Sequence, residues 1–445
     1  MGVLEAVLLK KGVRSDKLWA RKLLYRRPFL YLPFTLDVGS LMKSQYLPRE
    51  RIERLKEARL RELMKRANLV PLWREVFRKH SLDPADFTTQ DFENLPVIAK
   101  KDIVDEPLDV YTNAALRDTS YRDHTSGSTG RPFDFFFDLG AELRSFAICE
   151  RMLRTAVGGK RSYALSVRSR YKIGFAFSKS KFFRVSSYNS VRHQFEALVA
   201  LIRGYGSGVI LYGFASTFIE LARLVEERGL TVRVGAVIST GEHVRPSDRT
   251  LIERELHTKF FTNYATRELG WLGYECEHRA MHLNEEWALV EVLDKDDRPA
   301  PLDQEGEIVV TPFDNYVMPL VRYKVGDRGT ISSAACPCGR TLRTIKLLGR
   351  GVEFIELEGR RVSLLDLSAA FDMYASAIRQ YQIIQKDVMS FEIKIVPAEL
   401  FEDVRELLEQ KLVHLLHPSV HIDWSVTDEI PEAPSGKALY FIKAR

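Results

Sequence analysis

The stretch His124–Asp134 reads HTSGSTGRPFD. Two glycines, two serines and two threonines fall at 125–130, and Arg131 and Pro132 follow. Such a loop offers small side chains, many accessible backbone N–H groups, hydroxyls and one cation, a set that can wrap a polyphosphate. The G-x-x-x-x-G-K-[ST] spacing of a Walker loop is absent. On composition alone, a flexible Gly/Ser surface turn explains the segment equally well. A second constellation is built of thiols and an imidazole. Cys276 and His282 lie close together, and Cys336-Pro-Cys338 follows. Three thiolates and one imidazole suit a tetrahedral structural zinc, which keeps no open position for catalysis. His278 is an alternative fourth ligand, and buried free thiols are the alternative to a metal. The remaining cysteine, Cys149, follows Phe146-Ala147-Ile148 and reads as core.

Further short phrases follow the loop in order: ISTGEHV at 238–244, NYATRELG at 263–270, GEIVVTPFDNYVMPLVRYKVGD at 306–327, LGRGVEFI at 348–355 and PSGK at 434–437. Taken singly they are unremarked. Asp327 alone is a turn residue after Gly326, Lys437 a solvated lysine, and Glu268 beside Arg267 a surface ion pair. Taken in sequence with TSGSTGRP, they closely resemble the motifs of the adenylate-forming (ANL) superfamily. Within it the nearest resemblance is to the phenylacetate–CoA ligase and CapK-type capsular polysaccharide branch. It rests on LPVIAKKDI at 95–103, LYGFASTFIELA at 211–222, the Arg267-Glu268 pair, DNYVMPLVRY at 314–323 and EGRRVS at 358–363. It covers nearly all of the chain after residue 45.

The resemblance implies ATP-dependent activation of a small-molecule carboxylate as an acyl or aryl adenylate, with pyrophosphate released and the acyl group then passed to CoA. Alternative acceptors in the superfamily are an amine or a carrier-protein thiol, and some relatives stop at adenylyl transfer. It places Thr125, Ser126, Gly127, Ser128, Thr129, Gly130 and Arg131 around the β- and γ-phosphates. Glu268 would hold Mg²⁺, and Tyr264 would lie beside the adenine with Gly241 and Glu242 nearby. Asp327 would take the ribose hydroxyls, with Arg350 close to them. Lys437 would meet the charge developing between carboxylate and α-phosphate, chemistry that is mostly positioning and neutralisation. Tyr212, Gly213, Phe214 and Ser239 would line the acyl pocket. Relatives in this branch carry a similar Cys…His…Cys-x-Cys pattern, which favours zinc at Cys276, His282, Cys336 and Cys338. Three departures stand out. Ala265 replaces a usual glycine, Arg267 replaces a Ser or Thr, and Val352 falls near a usual acidic hinge residue.

These residues need elements to carry them. The chain has 445 residues, 45% hydrophobic and 28% charged, enough for a large core and more than one domain. Residues 50–66 have apolar positions Ile52, Leu55, Leu60 and Leu63 among charges, the pattern of an amphipathic helix, and helix resumes at Val76–His80. From 120 to 330 short apolar runs alternate with helix-period stretches, which predicts an α/β body with mostly parallel sheet. After Gly349 come paired strands at 379–386 and 389–396, a helix over Glu399–His417 and a strand at Val420–Val426, a compact α+β unit. The fold class expected is therefore α/β: a large N-terminal adenylation domain, 1–348, whose residues 1–105 are mainly a helical lead-in, and a small mobile α+β lid, 349–445. The FDFFF run at 133–137 and Phe175–Phe183 read mostly as core.

Charge and cysteine content narrow the function classes. The net charge is +6, but residues 1–50 hold ten Lys/Arg against four Asp/Glu, while 349–445 hold eleven against sixteen. The excess belongs to one end, so no nucleic-acid face is expected. Four cysteines exclude a disulfide-rich scaffold and suit a reducing, cytoplasmic setting. No segment approaches the roughly 20 apolar residues of a membrane span; the basic and apolar residues 1–45 read first as a helix and loop packed on the protein's own surface, with a peripheral membrane contact as the alternative. A nucleotide-binding assembly protein without catalysis is the non-enzyme alternative. Retention of Glu268 and Lys437 argues against it, because a pure binder needs neither.

Overall fold

The computed structural model describes residues 37–445 apart from 105, 125–132, 160–162, 169–182, 187–190, 206–207, 243, 351–353, 376, 399, 432–439 and 444–445. The expected N-terminal helix runs Arg49–Ala67 and buries Ile52, Leu60, Leu63 and Met64, the stripe that its apolar spacing implies. Pro71 opens the next helix, Pro71–Lys79, where its missing N–H leaves nothing unpaired. Trp73 is fully buried there, and its Nε1 donates to the Pro319 carbonyl at 3.0 Å, tying the lead-in to the body.

Seven strands form the larger sheet, in the order Met281–Leu283, Gly270–Glu275, Phe260–Thr266, Ala236–Thr240, Val209–Gly213, Tyr163–Arg168 and Phe183–Ser186. The five from Phe260–Thr266 onward are parallel, and the first two are antiparallel. Every residue of Val209–Gly213 and Ala236–Thr240 is buried, as strands covered on both faces require. On one face Val209, Leu211, Val237 and Phe260 pack with Phe218, Leu221 and Ile252. On the other, Ile210, Tyr212, Ile238, Phe261 and Tyr274 meet Cys149, Met152 and Leu153 of the helix Leu139–Ala156. Cys149 is thus core, as expected.

The parallel pattern stops earlier than the sequence reading anticipates. Strands Ala288–Leu293, Gly306–Pro312, Tyr323–Ile331 and Ile345–Arg350 build a second, antiparallel sheet, with Ile98–Ala99 parallel at its edge. The connections between these strands, 294–305, 313–322 and 332–344, carry no helix, the element that a parallel crossover usually needs. Gly306 is required here, because a Cβ would lie 2.2 Å from the Leu293 carbonyl oxygen.

C-terminal to residue 354, Ile378–Asp387 and Ser390–Pro397 pair antiparallel, flanked by the parallel edge strands Phe441–Lys443 and His421–Val426. Helices Leu364–Asp372 and Phe401–Leu415 cover this sheet, and its core draws only on residues from 355 onward. It meets the body at the helix Pro246–Glu255. Asp372 Oδ1 accepts from the Ser247 backbone N–H at 3.2 Å and from the Ser247 hydroxyl, and the Arg245 guanidinium lies 5.7 Å from the Tyr381 ring centroid.

Candidate adenylate site and a Cys3His cluster

The glycine- and hydroxyl-rich loop lies outside the described residues, as do Arg131 and Lys437. The two strands that present the loop are described. Tyr121–His124 and Asp134–Phe137 pair antiparallel with His124 opposite Asp134, a hairpin whose strands lead into and out of the loop segment. The hairpin is anchored by Phe135, Phe136 and Phe137, all buried in one core with Tyr264, Trp287 and Tyr323, and by Asn315 Nδ2 donating to the Phe136 carbonyl at 2.8 Å. The FDFFF run is therefore core, as its composition suggests. Arg267 reaches the same hairpin. Its Nη1 donates to the His124 carbonyl at 3.1 Å, and its Nη2 lies 3.4 Å from Asp123 Oδ2. Arg267 thus grips the strand that leads into the loop.

Three motifs separated in sequence meet at one rim. Tyr264, near the end of the strand Phe260–Thr266, donates its hydroxyl to Asp327 Oδ2 at 2.8 Å. Asp327 follows Gly326, which adopts a left-handed φ of 84°, and stands opposite Arg350 in the antiparallel register. The side chain of Arg350 lies outside the described residues, as does Val352. Glu268 is half-buried in the tight turn between strands Phe260–Thr266 and Gly270–Glu275. Gly241, at a φ of 70°, turns the chain sharply at the end of Ala236–Thr240. The carboxylate of Glu242, however, is engaged elsewhere: it accepts from the Ser216 backbone N–H at 2.8 Å and from its hydroxyl at 3.1 Å. That caps the helix Ala215–Glu227.

The four residues named for the acyl pocket separate. Tyr212 is 7% exposed, and its ring lies 5.8 Å from that of Trp271. Gly213 and Phe214 follow at the strand end and the helix N-cap. Ser239 is paired in register with Gly213, one residue beyond Tyr212. Alternation therefore puts it on the opposite face, with Leu211 and Val237. Trp271 is not among the residues that the motifs point to, although its place directly after NYATRELG, three residues beyond Glu268, is a usable signal.

Cys276, His282, Cys336 and Cys338 come together, with all four ligand atoms within 4.8 Å of one another. The Sγ atoms of Cys276 and Cys336 are 3.7 Å apart, and Cys338 Sγ lies 3.2 Å from His282 Nε2. Tetrahedral zinc with its usual bond lengths sets sulfurs about 3.8 Å apart and sulfur to nitrogen about 3.6 Å. His282 Nδ1 lies 2.9 Å from the Leu342 carbonyl, which fixes the proton there and turns Nε2 towards the thiols. Burial pushes the Cys276 thiol up and the Cys336 thiol up to about 12. Burial acts on Cys338 in the same sense, but hydrogen bonds from Arg340 outweigh it and hold that thiol low. Arg340 is itself placed by Gln45 and Glu277. His278 has only its backbone N–H at the cluster, 3.4 Å from Cys276 Sγ.

Residues 354–444 match the family described as the CapK C-terminal domain. The chain is similar to the phenylacetate–coenzyme A ligase of Thermus thermophilus, 26% identical over 400 residues that cover 83% of this chain and 88% of that protein. It is also similar to protein CapK of Staphylococcus aureus, 20% identical over 390 residues covering 83% and 84%. The sequence likeness is thus to a phenylacetate–CoA ligase and to CapK over most of the chain, with a CapK-type unit at its C-terminal end. The chain's fold is that of 2-hydroxyisobutyryl-CoA ligase in the postadenylation state with 2-HIB-AMP bound, at a TM-score of 0.74 with 20% identity, covering 91% of this chain and 93% of that one. Against the same ligase in the thioesterification state the TM-score is 0.60. Among the described residues no helix is long and apolar enough to cross a membrane.

Proposed function

We propose that the protein is an ATP-dependent ligase that activates a small-molecule carboxylate as its acyl adenylate and transfers the acyl group to CoA. The observation that carries this reading is the meeting of Tyr264, Asp327 and the Arg350 strand at one rim, beside the hairpin that presents TSGSTGRP. A carboxylate oxygen attacks the α-phosphorus of ATP, and the bond to the bridging oxygen of pyrophosphate breaks. The sulfur of CoA then attacks the acyl carbonyl, AMP leaves, and the thiol proton passes to solvent. Asp327 accepts from the ribose hydroxyls while Tyr264 orients its carboxylate and flanks the adenine. Thr125, Ser126, Ser128, Thr129 and Arg131 hold the β- and γ-phosphates. Glu268, a half-buried carboxylate beside the Arg267 that contacts His124, is suited to hold Mg²⁺, which would neutralise phosphate charge. Lys437 meets the charge on the α-phosphate oxygens as the bond forms.

The Cys276, His282, Cys336 and Cys338 set fits structural zinc in ligand type, number and spacing. It would tie the end of Gly270–Glu275 to the loop after Tyr323–Ile331, and so hold together the two sheets whose strands carry Tyr264 and Asp327. Reduced thiols, ATP and CoA together suit the cytoplasm.

Pyrophosphate release from ATP and Mg²⁺ over a carboxylate panel, with hydroxylamine trapping of the adenylate, tests the first half-reaction. Dependence of acyl transfer on CoA, against amines or a carrier-protein thiol, decides the acceptor. Absence of pyrophosphate with every acid refutes the reading.

A further inference from the structure

Asn263 is 6% exposed, and neither its amide nitrogen nor its carbonyl oxygen has a hydrogen-bond partner among the described residues. An amide with both ends dry and unpaired is costly, because each buried polar atom gives up its water. Such a group persists where something else supplies the missing bonds.

Its position says what that is. Asn263 stands opposite Thr240 on the neighbouring parallel strand and opposite Tyr274 on the antiparallel one. Alternation puts it on the face of Phe261, Ile238 and Tyr212, at the carboxyl ends of the parallel strands, where open α/β sheets bind ligands. The strands bearing Tyr212 and Trp271 are separated by two others. Neighbouring strands are about 4.8 Å apart, so these two backbones lie about 14 Å apart. Yet their rings come within 5.8 Å. The two rings therefore lean towards each other across the intervening strands, Ala236–Thr240 and Phe260–Thr266, which place Thr240 and Asn263 side by side on this face. The next residue along, Tyr264, holds Asp327 at the rim. Ser239 Oγ is also unpaired, but on the opposite face, and has no part in this.

We infer that Asn263 reads a neutral polar group on the acid being activated, so that the substrate is a carboxylate bearing a hydroxyl or amide rather than a purely hydrocarbon acid. The inference rests on the adenylation reading above and names the substrate class of that site. A hydroxyl both donates to the Asn263 carbonyl oxygen and accepts from its amide nitrogen. The aromatic pair of Tyr212 and Trp271 encloses the apolar remainder of the molecule.

The test uses the full chain with ATP, Mg²⁺ and acids paired to differ by one hydroxyl: benzoate with 4-hydroxybenzoate, phenylacetate with 4-hydroxyphenylacetate, and isobutyrate with 2-hydroxyisobutyrate. In the best-used pair the hydroxylated member is expected to be favoured by about tenfold to a hundredfold in kcat/KM for pyrophosphate release. Asn263→Leu keeps the volume and removes both polar atoms, so it should abolish that preference and improve use of the apolar acid. It should also raise the melting temperature of the substrate-free protein, because two unpaired polar atoms leave the core. A structural role for Asn263 would instead lower it. Wild-type preference for the apolar member of the best-used pair overturns the inference, and so does a variant that keeps the hydroxyl preference. If Asn263→Leu does not fold, the amide is structural and the inference fails. Pyrophosphate release without discrimination defeats the inference and leaves the adenylation reading standing, whereas no release with any acid removes both.

Discussion

Cys336→Ser removes one of four ligand atoms that all lie within 4.8 Å of one another. A tetrahedral metal there cross-links Cys276 to Cys336, which are 60 residues apart. Closing a loop of that length removes roughly 4 kcal/mol of chain entropy from the unfolded state. The unfolding entropy of a chain of 445 residues is about 0.9 kcal/mol per kelvin, so the loss should lower the melting temperature by about 5 °C. Serine preserves the volume of the side chain, and Cys336 is only partly buried, so a packing defect adds little. The assay is metal content by plasma mass spectrometry together with thermal melts, each with and without a strong chelator. Wild type should carry one zinc per chain and lose about 5 °C when stripped; the variant should carry none and be indifferent to chelator. A variant that retains stoichiometric zinc, or a wild type whose melt ignores chelation, refutes the clamp. The Cys149→Ser control, at a core position outside the four-ligand set, should retain the metal.

Tyr264→Phe keeps the ring but removes the donor to Asp327, and one neutral hydrogen bond is worth about 1 kcal/mol, so the KM for ATP should rise roughly fivefold with a smaller change in kcat. Arg151→Met strands the Glu286 carboxylate, since both side chains are fully buried and paired at 2.7 Å, and urea melts should show a loss of about 3–5 kcal/mol near neutral pH. Burial opposes the charge on Glu286, but Arg151 outweighs it and holds the carboxyl below its usual range. A depressed acid contributes stability above its unfolded pKa and loses it as pH falls. In the variant the unpaired acid is raised instead, so its deficit against wild type should shrink on acidification through about pH 5. Asp372→Ala removes the acceptor that caps the helix Pro246–Glu255 from the C-terminal unit, a cap worth about 1 kcal/mol, and proteolysis at Gly349–Gly351 should quicken about fivefold.

What could be read from sequence follows the range of the forces involved. Local periodicity identifies the helix Arg49–Ala67, the pair Ile378–Asp387 and Ser390–Pro397, and the helix Phe401–Leu415 to within about two residues. The Cys3His cluster was legible because thiols and imidazole are scarce, and spacing alone brought four candidates together. The second sheet was not, because short apolar runs look alike whether their partners run parallel or antiparallel. The split between Tyr212 and Ser239 depends on register, and a one-residue offset changes the face. The capping role of Glu242 and the grip of Arg267 on His124 join residues 26 and 143 positions apart, a pairing that no local pattern announces. Asn263 went unnoticed for a different reason: its signal is a missing partner, which only coordinates reveal.

The central claim is adenylate formation at the rim where Tyr264 meets Asp327. Carboxylate-dependent exchange of radiolabelled pyrophosphate into ATP, by wild type and by Lys437→Ala and Asp327→Ala, tests it most directly. The account requires exchange in the wild type that depends on the acid, and a drop of about a hundredfold or more in both variants with folding intact. Exchange that is absent in the wild type with every acid, or undiminished in both variants, contradicts it.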